Sequence, residues 1–302
     1  MSYIEQFNHR LNQSRNDRTV DDTKFKEQVD LMLQSLLRQM NLKANALIIG
    51  AGKCQDFSLP IFMEEFNRTL VTDVDYETIK AAVGKKPKME IKRVEYTGFE
   101  DCGFFNDFKE RIVNSRDYEK IDQIIAHKIE EVKKYEFLQE EYGSMDLVYV
   151  SPIYSQLVYQ QLLREVSILR ETGFPEHFLK YIESVFLDEM VGVIQRFNEN
   201  LIKLLNEDGR LVVLSDIFEL DHGSSFHLRV VNGIRNKDVM EEIYTGYIKK
   251  YGFGLGDYGL YNLDEQVIEI KSRWMLWPFT EKKSYAVKLK IYKKFKIEGG
   301  TL

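Results

Sequence analysis

A chain of 302 residues with 44% hydrophobic and 30% charged side chains is long enough for one large domain with added elements, and too rich in core-forming residues to be disordered. Its 42 basic and 48 acidic residues leave a net charge of −6, opposite to the cationic surface a general nucleic-acid binder uses to release counterions, so nucleic acid is not an expected partner. Two cysteines, Cys54 and Cys102, cannot build a disulfide framework, the opening segment lacks a signal-like apolar stretch, and no run reaches membrane-spanning length; a cytoplasmic protein without a membrane partner is expected.

Residues 1–44 read as an N-terminal helical segment, in which Phe25, Val29, Met32, Leu33, Leu36, Leu37 and Met40 recur at helical spacing after the cap candidates Asp21 and Asp22. Residues 46–49 form a short apolar run that stops at Gly50-Ala51-Gly52, the pattern of a buried strand feeding a tight turn. A helix over 59–66 and a second strand over 69–72, running into Asp73-Val74-Asp75, continue the alternation. A third strand is expected over 91–97 and a fourth over 145–150, where Ser151-Pro152-Ile153-Tyr154 ends the ladder. A fifth strand at 210–214 follows a turn at 206–209; a helix at 237–251 and two alternating runs, 273–277 and 285–292, close the chain as an antiparallel hairpin. The order predicts a doubly wound, mostly parallel α/β domain over 45–302. The stretches 104–144 and 155–205 exceed a simple crossover and are expected to form a helical cap.

In open α/β sheets ligands settle at the carboxyl ends of the strands, and three segments fall there. At Gly50-Ala51-Gly52 missing side chains let backbone approach a ligand, although a plain strand-to-helix turn needs the same glycines. Asp73 and Asp75 end the second strand; a carboxylate there accepts two ribose hydroxyls, or caps the helix that follows, and one can do each. Ser151-Pro152-Ile153-Tyr154 turns the chain outward and presents a hydroxyl, a carbonyl and a ring. The five histidines, His9, His127, His177, His222 and His227, show no metal-ligand spacing.

Together these segments resemble the class I S-adenosylmethionine-dependent methyltransferase family, over roughly 45–294 without the two long insertions. Leu47 to Gly52 is similar to its glycine-rich first motif, Leu70 to Asp75 to its acidic second, Met145 to Tyr154 to its fourth, and Leu204 to Val213 to its fifth-strand motif. Ile49 stands where an acid is usual, and Cys54 or Gln55 where a third glycine is usual. The resemblance implies a Rossmann-like sheet of seven strands with one C-terminal antiparallel strand, and S-adenosyl-L-methionine as cofactor. It further implies that Gly50, Ala51, Gly52, Asp73, Asp75 and Ser151 contact that cofactor, with Phe99 on the adenine ring and Glu100 or Asp101 accepting from its amino group. Ser151 to Tyr154 also resembles a degenerate D/N-P-P-Y motif, in which a polar side chain and an aromatic ring hold an amine. Ser151, Tyr154 and His222 are the catalytic candidates; His227 and Asp216 are further possible bases, and an ordinary surface or core role competes for each. The aromatic residues Trp274, Trp277, Phe279, Tyr258 and Tyr261 are expected to pack rather than wall an acceptor site.

The expected function is methyl transfer to a nitrogen or oxygen of a small molecule enclosed by the cap. The competing readings are a nicotinamide-dependent oxidoreductase, which uses the same strand, turn and ribose carboxylate, and a non-catalytic nucleoside-binding module of the same fold.

Overall fold

The computed structural model describes residues 2–14, 20–115 and 117–295; the parts of the expected N-terminal segment and main domain at 15–19 and 296–302 lie outside them. The apolar run after Ala44 is β1 (Asn45–Ile49), flanked by β2 (Arg68–Asp73) on one side, with β3 (Met89–Arg93) beyond it. On the other side come β4 (Met145–Val150) and β5 (Leu205–Asp221), all parallel. β6 (Ile268–Pro278) and β7 (Lys283–Lys293) are antiparallel to one another, and β7 inserts between β5 and β6, giving the order β3-β2-β1-β4-β5-β7-β6. This is the expected seven-stranded, mostly parallel doubly wound fold with a C-terminal antiparallel hairpin. Strand order reverses between β1 and β4, and a crevice opens there at their carboxyl ends.

Alternation along the buried strands sends side chains to two cores. Ala46, Ile48, Leu147 and Tyr149 face α2 (Thr23–Leu37), α3 (Leu59–Glu65) and α4 (Tyr76–Val83). Leu47, Ile49, Val148 and Val150 face α5 (Phe104–Ser115), α6 (Tyr118–Val132), α7 (Tyr159–Glu171) and α8 (Glu176–Leu204). On α8 the residues Leu179, Ile182, Phe186, Met190, Val193, Phe197, Leu201 and Leu204 form one buried stripe at steps of three and four, each worth about 1.5–3 kcal/mol of burial. Beyond β5, α9 (Ser225–Gly233) and α10 (Lys237–Tyr251) pack on Phe218 and Trp274, and α11 (Leu255–Gln266) lies along α8 and β5.

Four differences from the sequence expectation matter for the site. Residues 3–14 form a separate helix, α1 (Tyr3–Ser14), although only Ile4 and Phe7 among its apolar residues are buried. β3 stops at Arg93 because the Glu95 carboxylate takes the backbone N–H groups of Thr97 and Gly98 and folds the chain inward. β5 is longer than 210–214, since β7 pairs with it as far as Asp221; the expected turn at 206–209 is a bulge between the pairs Met145–Leu205 and Leu147–Arg210. Finally, the long insertions supply α5 to α8, which cover a sheet face, while Gln156 and Leu157 at the start of the second insertion line the cavity.

Candidate functional site

Among the described residues the cavity at the crevice is lined by residues 50–53, 55 and 56 of the turn, Asp73 and Val74, residues 95–97, residues 151–153, 156 and 157, and Trp277, and is roofed by Ile4, Asn8 and Asn12 of α1. It holds ≈ 100 Å³ of solvent space, below the range of about 300–1,000 Å³ usual for small-molecule sites.

The turn is shaped by backbone need. Gly50 has φ +69°, and a Cβ there would come within 2.9 Å of Ile153 Cδ1, so glycine answers both the left-handed conformation and the close approach. Its N–H donates to the Tyr96 hydroxyl at 3.1 Å, and that hydroxyl donates to Thr72 Oγ1 at 3.0 Å, tying the ends of β1 and β2 to the segment after β3. The helix after this turn starts only at Leu59, and its N-cap Ser58 faces Asp30, so the N–H groups of its first turn do not reach the cavity.

The two aspartates have separated roles. Asp73 accepts from Gly52 N at 2.8 Å and Asp75 N at 2.9 Å, lines the cavity, and has its carboxyl pushed up to about 6 by burial. Asp75 is the N-cap of α4, is fully buried, and accepts from Thr78, from Asn12 Nδ2 at 2.9 Å and contacts His9 Nδ1 at 3.1 Å. Those partners, against the opposing effect of burial, hold it below the ordinary carboxylate value. It does not line the cavity; His9 and Asn12 of α1 engage its carboxylate.

Other expected residues are also placed elsewhere. Phe99 is buried against Phe104, 5.2 Å between ring centres, and against Phe186, because the loop after β3 turns its ring into the α5–α8 core. Glu100 pairs with Arg93 at 2.7 Å. Tyr154 is fully buried and donates to Asn198 Oδ1 at 2.8 Å, while the Pro152 carbonyl accepts from Gln156 Nε2 at 3.0 Å; the D/N-P-P-Y arrangement for holding an amine is therefore not assembled. His222 sits at the far end of the β5–β7 ladder, with Nε2 2.7 Å from Ser284 Oγ and its ring against His227. Asp216 accepts from Ser155 at 2.9 Å. None of these lines the cavity, whereas Gly50, Ala51, Gly52, Asp73 and Ser151 come together in it. Trp277 does what the sequence reading set as alternatives: it stacks on Phe25 at 5.1 Å and also reaches the cavity wall.

Two acids there escaped the sequence reading. Asp56 is 5% exposed and accepts from the Tyr149 hydroxyl at 3.0 Å; burial raises its carboxyl to about 6, against the pull of the Ser151 and Tyr149 hydroxyls. Glu95 is 9% exposed and is raised by burial to about 7. The signal for Asp56 was a lone acid beside Phe57, Leu59 and Phe62, a setting that gives a carboxylate no solvation unless it points into a cavity. No group of three or more metal-ligating side chains occurs among the described residues, and no described helix is long and apolar enough to cross a membrane.

No family model and no curated protein matches the sequence. Among solved structures, the N-methyltransferase NodS from Bradyrhizobium japonicum WM9 in complex with S-adenosyl-L-homocysteine is 13% identical, with a TM-score of 0.46 over 96% of this chain and 98% of its own. An S-adenosylmethionine-dependent methyltransferase from Anabaena variabilis ATCC 29413 is 11% identical, with a TM-score of 0.47 over 98% and 96%. One from Methanosarcina mazei is 11% identical, with a TM-score of 0.41 over 86% and 97%. The strand order and the cavity at its reversal, described above, are features of this chain itself and stand independently of these likenesses.

Proposed function

We propose that the chain is an S-adenosyl-L-methionine-dependent methyltransferase acting on a small-molecule acceptor in the crevice between β1 and β4. One observation supports it above others: the glycine turn after β1, the acid ending β2 and the serine ending β4 line a single cavity in a sheet whose last strands form the antiparallel hairpin. The residues present suit the cofactor chemically. Backbone at Gly50 and Gly52 allows close approach, and Asp73 keeps unused lone pairs on both oxygens to accept sugar hydroxyls. Val74 and Tyr96 give apolar contact for a base. When bound, the cofactor supplies a methyl group made electrophilic by its sulfonium. The chain's contribution is then to orient the acceptor and exclude water. In this reading α1 closes the roof and swings outward to admit ligands, since the present cavity is smaller than a nucleoside requires.

Calorimetric titration with S-adenosylhomocysteine, with NAD as control, tests the assignment. Micromolar binding of the former alone is expected, weakened about tenfold by Asp73→Asn, the effect of one charge-assisted hydrogen bond. Binding of NAD alone would favour the oxidoreductase, and binding of neither would end both readings.

A further inference from the structure

Three carboxyls, Asp56, Asp73 and Glu95, line the cavity, each less than a tenth exposed, together with one lysine, Lys53. Burying carboxyls without a matching cation is costly unless hydrogen bonds satisfy them, as three N–H donors do for the buried Asp146. Asp73 and Glu95 are accounted for by their turns, because both oxygens of each accept backbone N–H groups. Asp56 closes no such turn. Its Oδ2 accepts from Tyr149, and beside it stands Ser151, whose buried hydroxyl bears on the Asp56 carboxyl, has no other partner among the described residues and lines the cavity. Trp277 closes the same cavity with an aromatic wall, a surface that suits a cation.

We infer that the Asp56–Ser151 corner holds a basic nitrogen, so that the methyl acceptor is an amine that enters as its ammonium ion. This inference rests on the methyltransferase reading and names its substrate class. Anionic acceptors such as carboxylates and phosphates meet three acids and are disfavoured. On binding, one N–H bond breaks, the proton moves to an Asp56 carboxylate oxygen, and the N–H electron pair remains on nitrogen as the lone pair that a nucleophile needs. A neutral amine beside a neutral carboxyl suits a buried site better than an ion pair does. The carboxyl's raised proton affinity agrees with this role, with Lys26 of α2, Tyr149 of β4 and Cys54 as the ionisable neighbours that bear on it. Ser151 Oγ accepts a second N–H and fixes the nitrogen's direction.

The test uses the full chain saturated with S-adenosylhomocysteine and titrated, by saturation-transfer NMR, with n-butylamine, n-butanol and butyrate. The amine is expected to bind at least ~10-fold more tightly than either analogue, the size of a charge-assisted hydrogen bond. That preference should vanish in Asp56→Asn, return in Asp56→Glu and weaken in Ser151→Ala, with S-adenosylhomocysteine affinity changed by less than about 3-fold in the two Asp56 variants. Equal binding of the three probes, or a preference that survives Asp56→Asn, would overturn the amine assignment. A wild-type protein that ignores S-adenosylhomocysteine would instead overturn the methyltransferase reading, whatever the amine does.

Discussion

Buried charge is treated in opposite ways at the C-terminal hairpin and at the crevice. On β7, Lys288 and Lys290 are nearly buried, and each is matched: Lys288 by Glu241 at 2.8 Å, Lys290 by Asp264 at 2.6 Å and Glu269 at 2.8 Å. Lys288 also lies 4.9 Å from the ring centres of Tyr244 and Trp274. At the crevice, Asp56, Asp73 and Glu95 are as well buried, yet among the described residues hydroxyls and backbone N–H groups, not cations, hold them. The hairpin is electrostatically complete as folded. The crevice leaves that completion to a ligand in the function proposed above.

The largest consequence is in the pH dependence of stability. Burial raises Asp56 and Asp73 from 3.8 to about 6 and Glu95 from 4.5 to about 7. Between those limits the unfolded chain has released protons that the folded chain retains, so stability falls as pH rises from about 4 through about 7 and then levels. The loss is on the order of 3 kcal/mol or less per carboxyl, and Asp75, shifted the other way, loses its contribution only in more acidic solution. Urea melts of the ligand-free protein at pH 5 and 8 measure it; equal midpoints would place the crevice on the same footing as the hairpin.

Next in size is the paired lysine. The double substitution Asp264→Asn, Glu269→Gln strands Lys290 and is expected to destabilise by about 3 kcal/mol, as breaking a buried ion pair does. Asp56→Asn removes an acid without stranding a cation and keeps an acceptor for Tyr149, so at pH 8 it should stabilise the ligand-free protein by about 1 kcal/mol. The contrast in sign between these variants, read in the same denaturation experiment, sharpens the comparison; a shared sign breaks it. The smallest effect is at the roof. Asn12→Ala removes one hydrogen bond to Asp75 and should cost about 1 kcal/mol or less, while raising hydrogen–deuterium exchange in α1 well above that in α2.

Much of this architecture was legible because the signals are local. The apolar runs of β1, β2 and β4, each ended by glycine, aspartate or proline, placed three strand ends, and the alternation at 273–277 and 285–292 placed the hairpin. The α1 helix was not legible, since it is fastened by polar bonds from His9 and Asn12 to an aspartate more than sixty positions away, not by an apolar stripe. Phe99 was read as a ligand contact because an aromatic residue beside a strand end looks the same whether its ring turns toward a cavity or into a core. The setting of Asp56 among apolar residues is a local signal, but its partner is not: Tyr149 lies 93 residues further along and meets it only when β4 packs beside β1.

The most direct test is the proton balance of ligand binding, measured by titrating S-adenosylmethionine calorimetrically at pH 6 in two buffers of different ionisation enthalpy. A cation entering the crevice lowers the proton affinity of acids that are partly protonated there, so protons should pass to the buffer at pH 6 and no longer do so at pH 8. Binding with no proton release at pH 6, or no binding at either pH, would contradict the view of this crevice as an acidic site completed by a cationic ligand.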